Sequence, residues 1–126
     1  GFCVKFNCIG QGVDAIASIE GSGVLVASSQ DMLELIAAAY YQHGCHCLIL
    51  HKANMDERFF DLKNGLLGEA LQKVINYGAR LAIVGSFTSY SSNALKDFIY
   101  ESNRGDRIFF LPDEETAIKT LLAANR

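Results

Sequence analysis

The sequence predicts a single α/β domain over residues 1–126, built on a mixed, mostly parallel sheet with an antiparallel N-terminal hairpin and four helices. Three observations lead there. Short apolar, β-rich runs alternate with segments of helical period along most of the chain, the pattern of strands joined by right-handed helical crossovers. Two β-rich runs stand next to each other at the start with only "GQG" between them, the spacing of a hairpin. The length, 126 residues with half of them hydrophobic, suits one core.

The hairpin strands are expected over residues 2–9 and 13–19, with the turn at residues 10–12. "EGSG" at residues 20–23 turns the chain again, and "VLVAS" reads either as a short third strand or as the lead-in to a helix. Ser28 and Asp31 have capping-box spacing, and Leu33, Ile36, Ala37 and Tyr40 share a helical stripe that stops at Gly44. "CHCLILH", residues 45–51, has the continuous apolar character of a buried strand and leads into the polar loop "KANMDER". The next helix carries Leu67, Ala70, Leu71 and Val74 and ends at Gly78. "RLAIVG", residues 80–85, is a further buried strand, followed by the hydroxyl-rich loop "SFTSYSSN", in which Ser91 or Ser92 caps a helix with Leu95, Phe98 and Ile99 on its apolar side. Gly105 ends that helix and "RIFFL" is the last strand. Pro112 turns the chain into a terminal helix whose start bears Asp113, Glu114 and Glu115, complementing the helix dipole, and whose stripe is Ile118, Leu121 and Leu122.

Net charge is −3 with a pI near 5.5, and the basic residues are scattered singly, so no nucleic-acid partner is expected. Charges and polar groups interrupt every apolar run, so no membrane association is expected either. A mean hydropathy of +0.16 is high for a small soluble chain, and burial of the excess apolar surface between subunits points to a homodimer. The chain opens on Gly1, which reads as a processing scar, without a basic segment and apolar targeting core. Four cysteines, Cys3, Cys8, Cys45 and Cys47, sit in a chain large enough to need no covalent staple, which points to reduced thiols and a cytoplasmic location.

Two resemblances enter on "FFDLKNGLLGEALQKVINYGARLAIVG", residues 59–85. With one residue inserted after Asp61, Phe59, Phe60, Asp61, Gly65, Leu67 and Gly68 resemble the strand-to-helix corner of the STAS or anti-sigma-factor-antagonist domain. That corner carries a serine that a partner kinase phosphorylates in the family, and its position falls on residues 62–64 here, Leu-Lys-Asn, without a hydroxyl. The resemblance implies a STAS-like binding module without the phosphorylatable serine. A second likeness covers more of the chain: this run, "AIVGSFTSYSSNALKDFIYESNRG" and the final "IFF" before an acidic helix start are similar to a bacterial domain family of unknown function, family 4180. That resemblance implies a family and no activity.

In an open parallel sheet, ligands bind beyond the carboxyl ends of the strands. The rim so defined would carry His51, Asn54, Asp61, Lys63, Asn64, Ser86, Thr88, Tyr90 and Asp113, with free helix-start N–H groups and the Lys63 charge suited to a small anion. The same residue types serve structure equally well, Asp61 or Asn64 as helix caps, Gly65 and Gly68 as points of close approach, Phe59 and Phe60 as core. "HGCHC" offers thiols and imidazoles, but Cys45 and Cys47 in a strand would face one side and His46 the other, while Cys3 and Cys8 would lie on opposite faces, so no metal site and no cofactor are expected. Ser86 or Ser89 with His51 and Asp61 would make a nucleophilic set, yet the glycine of "VGSFTS" directly precedes the serine and no nucleophile elbow results. Tyr40 is expected in the core and Tyr41 on a surface able to meet a partner. The function expected is therefore non-catalytic protein binding or regulation, with a small-molecule or anion binder, or an enzyme, on the same rim as the alternative.

Overall fold

The computed structural model describes residues 4–124. Five strands, β1 (Lys5–Ile9), β2 (Ile16–Glu20), β3 (Cys47–His51), β4 (Arg80–Val84) and β5 (Ile108–Leu111), form one sheet in the order β1-β2-β3-β4-β5. β1 runs antiparallel to β2, and the other neighbours are parallel. The helices are α1 (Ser29–His43), α2 (Leu66–Asn76), α3 (Asn93–Asn103) and α4 (Glu114–Ala124). This is the mixed, mostly parallel α/β domain with a hairpin and four helices that the sequence predicts.

Because β2 to β5 are laid down in order in one direction, right-handed crossovers must place every connecting helix on the same face. Met32 and Leu35 of α1, Leu67 and Ala70 of α2 and Leu95 of α3 accordingly share a core with Ala17, Leu48, Leu50, Leu81, Ile83 and Phe110. The alternate strand residues Ile16, Cys47, Ile49, Ala82, Val84 and Phe109 point the other way, where Ala117 and Leu121 of α4 cover them. Ser18 lies on this second face, buried, and its hydroxyl donates to Glu114 Oε1 at 2.5 Å, tying the first turn of α4 to β2.

Several elements depart from their predicted bounds. The hairpin connection is longer than "GQG": Gly10 and Gly12 take φ of +79° and +71°, and the chain makes a 3₁₀ turn over Gly12–Asp14 before β2 begins. "VLVAS" is neither a strand nor plain lead-in. Val26 forms an isolated parallel bridge with Met55, and the Leu25 and Val26 N–H groups both donate to the Asn54 carbonyl at 2.8 and 2.9 Å. α1 is rotated from the expected stripe. Its buried residues are Met32, Leu35, Ile36 and Ala39, while Leu33 and Ala37 are half-buried and Tyr40 is exposed, so Tyr40 is corrected from core to surface. α2 buries Leu67, Ala70, Leu71 and Val74 as predicted, and Gly78 follows it at φ +68°. Among the described residues, no helix is long and apolar enough to cross a membrane.

The caps predicted at Ser28 and Ser92 are in place, and Asp113, expected only to complement the helix dipole, also caps α4. Ser28 Oγ accepts the Asp31 N–H, Ser92 Oγ accepts the Leu95 N–H, and Asp113 Oδ1 accepts the Thr116 N–H at 2.7 Å. The Thr116 N–H holds the Asp113 carboxyl below the usual carboxylate range. A depressed folded-state pKa contributes stability that is full above the unfolded-state value and lost as pH falls through the folded one. Asp113→Ala is therefore expected to lower Tm at neutral pH, with the difference from the parent closing as acid protonates the cap. A Tm gap that stays constant from pH 7 to about pH 3 would speak against the charged cap.

Candidate functional site

The rim forms where β3, β4 and β5 end. β3 passes directly into three 3₁₀ turns, Lys52–Asn54, Glu57–Phe60 and Leu62–Asn64, which occupy most of the span before α2. Short turns suit this stretch because its side chains bond back onto their own backbone. Asp56 Oδ1 accepts the Arg58 N–H at 2.9 Å, and Asp61 Oδ1 accepts the Lys63 N–H at 3.4 Å. The Arg58 guanidinium and N–H hold the Asp56 carboxyl below its ordinary range.

His51 ends β3 half-buried, and its side chain accepts the Asn54 backbone N–H while Asn54 Oδ1 accepts the His51 N–H at 3.2 Å. Asn54 is 2% exposed, and its Nδ2 donates to the Gly21 and Gly23 carbonyls at 3.2 and 3.0 Å. Expected on the rim surface, Asn54 is instead a buried clamp with all its side-chain groups engaged. Asp61 and Lys63 are exposed. Asn64 Oδ1 accepts the Leu66 N–H at 2.9 Å and its Nδ2 donates to the Arg58 carbonyl at 2.6 Å, so Asn64 fastens the start of α2 to the preceding turn. Gly65, at φ +76°, makes that corner possible. The close approach expected at Gly65 and Gly68 is not found, since a Cβ at either would meet nothing within 4 Å. Phe59 and Phe60 are core, as the structural reading of the corner has it.

The loop after β4 brings a second set. Ser86 and Thr88 are exposed, with their hydroxyl oxygens 3.2 Å apart, and they line a groove of about 300 Å³ with Phe87, Phe110, Leu111 and Pro112. Tyr90 lies across Phe60, ring centroids 5.6 Å apart, and its hydroxyl donates to Glu57 Oε1 at 2.8 Å. Partial burial pushes the Tyr90 hydroxyl above its ordinary pKa, opposed by Lys52. The Lys52 ammonium stands 4.9 Å from the Tyr90 ring centroid and 5.7 Å from that of Phe60, and its stem packs against Gly85. Lys52 and Glu57 thus belong to this cluster although the sequence did not mark them as site residues. The only local signal was the aromatic pair next to a charged loop. The nucleophilic set considered from sequence is dispersed over separate bonds: Ser86 meets Thr88, His51 meets Asn54, and Asp61 meets Lys63.

At the opposite end of the strands, the C-terminus of α1 and the chain after α2 expose aromatic rings. Tyr40 and Tyr41 are 47% and 82% exposed and Tyr77 is 58% exposed; with His46 they border a groove of about 200 Å³ floored by Ile36, Ala37 and Ala79. Tyr40 packs on Tyr41 and on His46 at centroid distances of 5.3 and 4.9 Å. Cys45 and Cys47, expected on one side of a strand, fall on opposite faces. The Cys45 N–H is taken by the Ala39 carbonyl in the α1 C-terminal motif, so β3 starts only at Cys47. Cys3 lies outside the described residues. Among the described residues, no group of three His, Cys, Asp or Glu side chains is placed to hold a metal ion.

No curated protein and no solved structure matches the chain. The model of a domain of unknown function, DUF4180, matches residues 11–121, which take in β2 to β5 and the sites on both ends of the strands, and the chain belongs to that family.

Proposed function

We propose that the chain is a non-catalytic protein-binding module of STAS-like shape, cytoplasmic and paired with a second copy of itself as a homodimer. The observation that carries this reading is the exposure of Tyr40, Tyr41 and Tyr77 around one shallow groove. Aromatic rings carry large contact area at small entropic cost, and tyrosine is over-represented among residues that dominate interfaces. The engagement of Asn54, Asn64 and Asp61 in structural bonds supports it further, because those rim groups stabilise the corner without a ligand.

Light scattering across a dilution series is expected to give a dimer, and Tyr41→Ala with Tyr77→Ala to weaken pairing by at least ~10-fold. A concentration-independent monomer removes the dimer. The second reading, a small anion or metabolite held at the rim, draws on the exposed Ser86 and Thr88 hydroxyls beside their groove and on Lys63. A thermal-shift response to a metabolite that is lost in Lys63→Ala, with no self-association, would move the function to that surface.

A further inference from the structure

Two cysteines on the helix-rich face of the sheet meet at one cavity. Cys8 stands on the edge strand β1 opposite Ala17, two residues from Phe6 and therefore on the same side of the strand. Phe6 packs on the main core and meets the His43 ring edge-on at 5.8 Å, which holds β1 against the end of α1. Cys45 is buried in the turn between α1 and β3, and its thiol donates weakly to the His43 carbonyl at 3.7 Å. Cys8 and Cys45 both line a cavity of about 610 Å³ together with Gly10, Gly12, His43 and His46. Cys47 packs on the opposite face, in the core beneath α4.

We propose that Cys8 and Cys45 form a dithiol site that exchanges with low-molecular-weight disulfides, closing a Cys8–Cys45 disulfide that pins β1 to the end of α1. The exposures order the steps. Cys8 is exposed and reacts first. Its thiolate attacks one sulfur of the small disulfide, the S–S bond breaks, and the departing thiolate takes up the proton that Cys8 released. Cys45 then gives up its proton and attacks the Cys8 sulfur, and the second small thiolate leaves and is protonated. Two protein thiols are oxidised to one disulfide, and one small disulfide is reduced to two thiols. Burial first, and the neighbouring Cys8 next, push the Cys45 thiol up to about 11, which makes Cys45 the slower thiol and leaves the first attack to Cys8. In a reducing compartment such a pair is transient and responsive rather than a staple.

The test uses glutathione disulfide on the full chain carrying Cys3→Ser, with peptide mapping and Tm before and after. The expected product is a Cys8–Cys45 cross-linked peptide pair lacking two hydrogens. Because the link closes a long loop containing β2 and α1, Tm should rise by several degrees and return on adding reductant. Cys45→Ser should stop at a stable Cys8–glutathione adduct. If that buried substitution unfolds the chain, the exposed Cys8→Ser serves instead and should give neither the Cys45 link nor the Tm rise. A stable glutathione adduct on Cys8 with Cys45 present, a disulfide to Cys47, or thiols left unreacted at equilibrium would each overturn the proposal.

Discussion

Asn54→Ala is expected to lower the unfolding free energy by about 3 kcal/mol, from three lost side-chain hydrogen bonds at roughly 1 kcal/mol each. The bonds span distant parts of the chain: Nδ2 reaches the Gly21 and Gly23 carbonyls, and Oδ1 accepts the His51 N–H. Water can reach Gly21 and Gly23, which are exposed, so their carbonyls regain partners; the vacated space at position 54 offsets that relief. Asn54→Asp is the sharper variant. It keeps the acceptor for His51 and sets a carboxylate against two carbonyl oxygens, so the folded-state pKa rises and the variant is worst at neutral pH. As pH falls through that raised value the protonated acid can donate one bond, and part of the loss is recovered. Urea unfolding at two pH values measures both, and hydrogen exchange at Leu25 and Val26 should quicken, since the segment they sit in loses its anchor. A loss below 0.5 kcal/mol for the alanine variant would mean that the loop at residues 21–26 is held by the Asn54 backbone alone.

What the sequence made legible depended on the range over which each signal acts. α2 has apolar residues on one stripe and polar ones elsewhere, so Leu67, Ala70, Leu71 and Val74 could be placed without knowing the sheet. α1 is apolar nearly all round, from Met32 to Tyr41, and several stripes fit helical period; the packing on α2 and the sheet chose Met32, Leu35, Ile36 and Ala39 and left Tyr40 outside. The caps at Ser28 and Ser92 act over three residues and were readable for that reason, while Asp113 was read only as a partner of the helix dipole. Ser18 and the Nδ2 group of Asn54 were not readable, because the groups that satisfy them lie 31 to 96 residues away along the chain. Strand direction put the loops after β3, β4 and β5 at one end of the sheet, whereas which polar groups there were free was a tertiary matter. Cys45 and Cys47 were assigned to one face because strand alternation was extended two residues too early, across a position that the helix ending still controls.

Gly85→Ala should destabilise by about 2 kcal/mol, through crowding rather than through backbone conformation. Gly85 does not have a positive φ, so alanine is allowed there by its dihedrals. Its Cβ would nevertheless sit 2.6 Å from Lys52 Cβ and 3.3 Å from Lys52 Cδ. The first of these contacts involves an atom fixed to the backbone at the end of β3, so rotating the lysine cannot relieve it. Relief requires the β4 end and the turn at Lys52–Asn54 to part, which also draws the ammonium away from the Tyr90 and Phe60 rings. A double-mutant cycle separates these contributions. Lys52→Ala retains the Cβ and should leave most of the Gly85→Ala penalty in place, while costing about 0.5–1 kcal/mol itself through the lost cation–π contacts. Lys52→Gly removes the opposing atom, and in that background Gly85→Ala should become nearly neutral, a coupling of about 2 kcal/mol. Equal penalties in the parent and Lys52→Gly chains would show that position 85 resists a side chain for another reason. Coupling of the expected size would establish that the lysine stem against Gly85 fixes the spacing between the turn after β3 and the loop carrying Ser86, Thr88 and Tyr90, and with it the shape of the rim.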